Sequence, residues 1–150
     1  MAQRRKPEPL YTVGWREYID LPDWDITGLE VKCDTGARTS AIDVDDVVHL
    51  ADDRARFTVV FDRAHPERRR TIEADIERMT RVRSSNGAIR ERMFVKTLAR
   101  IGLIEKTIEI SLVSRHRMIC RMLLGRTALS PEFVVDSSRV YCLAKLGATK

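Results

Sequence analysis

Apolar and polar residues alternate along most of this chain with the period of strands rather than helices. The clearest case is Leu29-Glu30-Val31-Lys32-Cys33, whose period of two turns one face inward. Phe57 to Phe61 is a continuous apolar run rich in β-branched residues and predicts a buried strand. Val13, Trp15, Tyr18 and Ile19 form a short run closed by Pro22 and Asp23. From Thr71 to Arg83, Ile72, Ala74 and Ile76 alternate with Glu73, Asp75 and Glu77, and an extended pattern resumes from Ile89 to Val95. Between them lies Ser85-Asn86-Gly87, and Asn-Gly suits a type I′ hairpin turn because both central residues need positive φ. Further extended runs are Leu103 to Val113, Met118 to Leu124, Phe133 to Val135 and Val140 to Leu143. Only Asp43 to Leu50 and Gly125 to Leu129 read as short helical turns. Many strands with few helices predict a small closed barrel or sandwich.

Composition narrows the class. At 150 residues the chain suits one domain, read here as 11–150, with residues 1–10 as a flexible tail of two prolines and three basic residues. Lys+Arg 27 against Asp+Glu 22 gives a net charge of +5, which favours acidic partners. No stretch approaches the roughly 18 apolar residues of a membrane helix, and the N-terminus lacks the apolar run of a signal peptide. Cys33, Cys120 and Cys142 make no Cys-x-x-Cys pair and are odd in number. They read as buried thiols in a reduced, cytoplasmic setting.

The candidate chemistry sits in Cys33-Asp34-Thr35-Gly36-Ala37, where an alternating strand ends in an acid, a hydroxyl and a glycine. Hydrolysis by an aspartate pair can use that order: the strand delivers Asp34 to a cleft floor, Thr35 can lock the loop, and Gly36 lets backbone approach closely. Alone the tripeptide is weak, arising by chance roughly once in fifty chains of this length. A plain strand-ending turn would contain it equally well. The odds change with Leu123-Leu124-Gly125-Arg126, an apolar strand, a glycine and a helical turn opening with arginine, about ninety positions later. The Asn86-Gly87 hairpin falls between the two motifs.

Taken together, Gly14-Trp15-Arg16-Glu17, Leu21-Pro22, Asp34 through Ala41, Val82 through Gly87, Glu91-Arg92 and Met122 through Arg126 resemble one bacterial and archaeal family. It comprises the retropepsin-like proteins often labelled ATP-dependent zinc proteases, and the similarity runs from about Val13 to Leu143. The resemblance implies a mostly β, closed retropepsin-like barrel, one lobe per chain, with one short helix near the C-terminal Gly-Arg motif. It implies Asp34, Thr35 and Gly36 as catalytic residues, Ala37, Arg38, Asn86 and Gly87 at the substrate, and Leu124, Gly125 and Arg126 supporting the loop. Relatives are often associated with ligases that add amino acids to peptides or proteins, which suggests a processing role. The zinc and ATP label is not supported by the residues. His49, His65 and His116 are scattered without a His-Glu-x-x-His, and no glycine-rich Gly-Lys-Ser/Thr loop is present. No metal or cofactor is expected.

Peptide hydrolysis by carboxylates uses two of them around one water, sharing a single proton because like charges so close cannot both ionise. This chain has one Asp-Thr-Gly, so a second copy must supply the other, which predicts an isologous homodimer. The Asn86-Gly87 hairpin would act as a flap over an extended peptide. Retroviral-type enzymes carry acids just after Asp-Thr-Gly-Ala, where this chain has Arg38-Thr39-Ser40. Arg38 beside the cleft would favour acidic substrates; the alternative is an internal pair with an acid such as Asp43. Two other function classes stay open. One is a non-catalytic peptide-binding module of the same fold. The other is a basic β-domain binding RNA or ribosomes through Arg68–Arg70, Arg81, Arg83, Arg90 and Arg92, though aromatics at 6% supply little for base stacking, so no nucleic acid is expected.

Overall fold

The computed structural model describes residues 10–62, 64–83, 85–114 and 119–143. The strands are β1 (Tyr11–Gly14), β2 (Arg16–Leu21), β3 (Ile26–Cys33), β4 (Ser40–Asp43), β5 (Asp45–Leu50) and β6 (Arg54–Val60). They continue with β7 (Arg69–Asp75), β8 (Arg78–Arg83), β9 (Ile89–Ile101), β10 (Ile104–Val113), β11 (Met122–Leu124) and β12 (Phe133–Asp136). A single turn of helix, α1 (Arg126–Leu129), follows β11, and one-turn 3-10 segments cover Pro22–Trp24 and Ala51–Asp53.

Six strands close into a barrel in the order β10-β4-β11-β3-β2-β9, sealed by antiparallel pairing of β9 with β10. The alternation read from sequence explains the closure. Leu29, Val31 and Cys33 of β3, Ile42 of β4, Ile108 and Ile110 of β10, and Met122 and Leu124 of β11 are all buried in one cluster. The neighbouring positions Lys32, Ala41, Glu109 and Leu123 are less buried. β8 extends the sheet from the outer edge of β9. A second sheet, β5-β6-β7, joins the core through Phe57, whose ring meets Trp24 edge-on at 5.3 Å. β1 pairs in parallel with β12, bringing the two ends of the described chain side by side.

Several expectations need correction. Asp43 to Leu50 is not a helical turn: Asp43 ends β4, and Asp45–Leu50 pairs with β6. A register shift between Asp45 and Val48, with Asp46 at φ 54°, breaks the period-two signature there. The alternating run 71–83 is two strands with different partners, β7 on β6 and β8 on β9. Of the extended run 118–124, only Met122–Leu124 is strand, and Met118 lies outside the described residues. Val140 to Leu143 is not a strand either: Tyr141 N–H donates to the Arg16 carbonyl, but the next two N–H groups, of Cys142 and Leu143, go to the Glu17 carboxylate instead of continuing a ladder. The tail 1–10 falls outside the described residues apart from an exposed Leu10.

Candidate active site

The chain reverses from β3 to β4 through Asp34–Thr39, and β11 lies between those two strands, parallel to β3 and antiparallel to β4. That insertion places Leu123-Leu124-Gly125-Arg126 against the Asp-Thr-Gly loop although about ninety residues separate them. Five hydrogen bonds stitch the two together. Asp34 N–H donates to the Leu124 carbonyl (2.9 Å), Arg126 N–H to Ala37 (2.8 Å) and Thr127 N–H to Arg38 (3.0 Å). Gly125 N–H donates to Ser40 Oγ (3.1 Å), and Arg126 Nη1 donates to the Thr35 carbonyl (3.0 Å). The loop is thus held by backbone from a distant strand and by the Ser40 and Arg126 side chains. The Thr35 hydroxyl, expected from the sequence to help lock the loop and to bond across the axis of a dimer, makes no hydrogen bond within the chain among the described residues.

Asp34 is half-buried at the end of β3 and its Oδ1 accepts from Gly36 N–H at 2.9 Å. A Cβ on Gly36 would stand 3.1 Å from that same oxygen, so glycine here keeps the carboxylate uncrowded. At Gly125 a Cβ would lie 2.7–2.9 Å from the backbone of Thr39 and Arg38, which cannot move without moving the loop. Gly125→Ala is therefore expected to destabilise the fold by about 1–3 kcal/mol, the usual range for overpacking. It should also displace Asp34, measurable as a lowered melting temperature together with lost turnover.

Two cavities flank the loop. One, about 290 Å³, has as its floor a single cross-strand row, Phe94–Ser111–Ala41–Leu123, in register across β9, β10, β4 and β11. Small residues in the middle of the row leave the hollow. Among the described residues its charged walls are Arg38 and Arg92, both cationic. The Arg78 guanidinium packs on the Phe94 ring at 3.7 Å and is bidentate to Glu109, which pins the hairpin base beside this hollow. The other cavity, about 620 Å³, runs from Thr35, Arg38 and Arg126 along α1 to Phe133, Val134 and Val135 of β12. Val134 is 46% exposed there.

The structure thus gathers Asp34, Thr35, Gly36, Ala37, Arg38, Leu124, Gly125 and Arg126 into one place. It does not bring Asn86 and Gly87 into either cavity. The hairpin is real, with β8 and β9 paired up to Arg83 opposite Ile89, but a five-residue connection replaces the expected two-residue turn. Within it Ala88 N–H donates to Asn86 Oδ1, and among its described residues only Gly87 takes a positive φ, 85°. The longer loop spreads the reversal, so Asn86 has no need of the left-handed region. The hairpin residues that reach the site are Arg92 and Phe94, which the sequence reading did not place there. Their signal is a count along β9: two-residue steps from Phe94 select the face that carries Arg92.

Arg38 does not pair with Asp43. That buried carboxylate is met by Arg121 Nη1 at 2.7 Å, and Arg38 makes no ion pair among the described residues. The three cysteines are buried thiols. Burial, reinforced by Glu17 and the other two thiols, pushes Cys33 up to about 12, so the side chain next to Asp34 is a protonated packing group and no nucleophile. His49 faces Asp53 and His65 faces Glu67 at the surface, while His116 lies outside the described residues. Among the described residues no group of three acids, histidines or cysteines could hold a metal.

A family model described as RimB-like, retropepsin-like aspartic endopeptidase RimB, matches residues 12–145. Curated relatives named probable alpha-L-glutamate ligase are similar at 29% identity in Shewanella halifaxensis and Parasynechococcus marenigrum. The matches cover 90% and 89% of this chain but only 30% and 29% of those proteins. A crystal structure of a Legionella pneumophila protein of unknown function superposes with a TM-score of 0.71 at 23% identity, covering 88% of this chain and 97% of that one.

Proposed function

The chain belongs to the RimB-like family of retropepsin-like proteins, and on that premise we propose that it is an aspartic endopeptidase. Its active form is a homodimer, and it favours peptides carrying acidic side chains. The observation that carries this reading is the stitched loop presenting a single half-buried Asp34 carboxylate at the end of β3. One carboxylate cannot both accept a proton from water and donate one to a carbonyl, so two Asp34 groups must face each other across a two-fold axis. The ionised one takes a proton from the water as it attacks. The protonated one polarises the substrate carbonyl and then serves the leaving amine. The partly exposed apolar hollow along α1 and β12 begins at Thr35, which suits it to receive the second copy beside the loop.

Charge supports the substrate class. An extended peptide over the loop would pass the hollow walled by Arg38 and Arg92, where a carboxylate meets two guanidiniums and, among the described residues, no competing acid. The glutamate-ligase relatives point the same way, toward peptides or proteins bearing added glutamates. The ligase name itself belongs to proteins of which this chain spans about 30%, and ligation is not proposed for it. The test is cleavage of paired glutamate-rich and neutral peptides by the wild-type protein, with its solution mass measured alongside. Removing either arginine, as Arg38→Ala or Arg92→Ala, should lower kcat/KM on the acidic peptide by roughly tenfold and leave the neutral peptide nearly unchanged. Equal effects on both peptides would remove the acidic preference without touching the endopeptidase reading.

A further inference from the structure

The hairpin that carries Arg92 leaves the barrel at Phe94. β9 pairs with β10 as far as Ser111 opposite Phe94, and with β8 from Phe94 outward to Ile89. Residues 79–83 and 89–93 therefore pair with each other and with no barrel strand among the described residues. A two-stranded ribbon has little rigidity of its own, so its angle to the barrel depends on what braces the root. Arg78, the first residue of β8, supplies a brace. It reaches over β9 to Glu109 of β10, with Nε 3.1 Å from Oε2 and Nη2 2.9 Å from Oε1. On the way its guanidinium lies 3.7 Å from the centre of the Phe94 ring. Glu109 is open to this contact because Lys96, its cross-strand neighbour, turns to Glu77 at 3.2 Å. Of the five arginines from Arg78 to Arg92, Arg78 alone makes an ion pair among the described residues.

The brace and the substrate hollow share parts. Phe94, beneath Arg78, ends the row that floors the hollow, and Arg92 lies two residues further along the same face of β9. Ser111, two residues from Glu109 on β10, belongs to that row as well. A swing of the hairpin about its root would carry Arg92 away from Arg38. It would leave Asp34 in place, because the Asp34 loop is tied to β11 and α1 instead. We propose that the Arg78–Glu109 pair positions the substrate, by fixing the hairpin so that Arg92 and Phe94 meet a bound peptide beside Arg38. This rests on reading the hollow as the peptide site. The two side chains are 45% and 24% exposed, so the pair sets the hairpin's angle and adds little to global stability. The two-pronged contact and the ring beneath make it stiffer than a single-contact ion pair.

The test uses Arg78→Met, which can still cover the Phe94 ring, Glu109→Gln, and the double variant. In either single variant KM should rise roughly fivefold for the glutamate-rich and the neutral peptide alike, with kcat held within about twofold. That pattern separates the pair from Arg92, whose loss is expected to touch the acidic peptide alone. The double variant should be no worse than either single one, because each removes the same interaction. A fluorescein-labelled glutamate-rich peptide, titrated into chains that also carry Asp34→Asn, should show the same loss in Kd without any turnover. Amide hydrogen exchange should quicken within 79–83 and 89–93 and stay unchanged in β10 and β11. Absence of cleavage by the wild type would strike the endopeptidase reading alone, since binding and exchange would still judge the pair. Absence of peptide binding to Asp34→Asn with the hairpin intact would overturn the positioning role. So would faster hairpin exchange with Kd and KM unchanged, additive losses in the double variant, or a fall confined to kcat.

Discussion

Asp34→Asn is expected to lower peptide hydrolysis by at least roughly a thousandfold, within the range for removing a general base, and to leave the melting temperature nearly unchanged. The amide oxygen of asparagine can still accept from Gly36 N–H, and none of the five bonds joining the loop to β11 and α1 involves the Asp34 carboxyl. What disappears is the ability to hold and release a proton. The variant also reports on stoichiometry. If each active site draws one Asp34 from each of two copies, a chain bearing asparagine poisons every dimer it enters. Mixed in equal amounts and allowed to exchange, wild type and variant should keep about a quarter of the activity, the fraction of dimers with two intact carboxylates. Retention of about half would mean that each chain works alone and would sink the paired-carboxylate mechanism. Unchanged hydrolysis by the variant would sink the aspartic reading altogether.

Glu17→Ala is expected to be the most destabilising single change at a charged position, at roughly 3–5 kcal/mol. Glu17 is only 1% exposed, yet it makes no ion pair among the described residues. Its carboxylate instead gathers three backbone N–H groups: Gly14 at 2.6 Å and Cys142 at 2.8 Å on Oε2, and Leu143 at 3.2 Å on Oε1. Those donors come from the end of β1 and from the last described residues, so one side chain ties β1 and the 142–143 segment to β2. Alanine would strand all three in a dry interior. Glu17→Gln should be milder, about half the loss, since its carbonyl oxygen can serve Gly14 and Cys142 while its amide opposes Leu143 N–H. Urea unfolding of the two variants would check the order. A loss under about 1 kcal/mol for alanine would mean that water reaches these donors.

Much of the site was legible before any coordinates, because its signals are local. Asp34-Thr35-Gly36 follows an alternating strand, and Leu124-Gly125-Arg126 is a strand-to-helix junction, so each motif announces its own element. Most of the strand content was legible for the same reason, but a bulge hid the period at Asp45–Leu50, and the runs at 119–121 and 140–143 did not become strand. Glu17 was not legible as a buried anchor: in Arg16-Glu17-Tyr18 a carboxylate looks like any solvated residue, and its three donors arrive from positions 14, 142 and 143. Arg38 likewise had two candidate roles in the sequence, and its pairing with Asp43 could be set aside only because the fold brings Arg121 to that acid.

By itself the sequence determined most of the segments that extend, the faces they turn inward and the residues that could carry carboxylate chemistry, since these depend on neighbours one to four positions apart. Only the tertiary structure decided that β11 threads between β3 and β4, that Phe94, Ser111, Ala41 and Leu123 share one row, and that Arg38 and Arg92 wall the same hollow. Those outcomes depend on which strand edges pair and in what register. A one-residue slip would exchange the faces of every strand involved, and the choice is made by burial summed over the whole barrel.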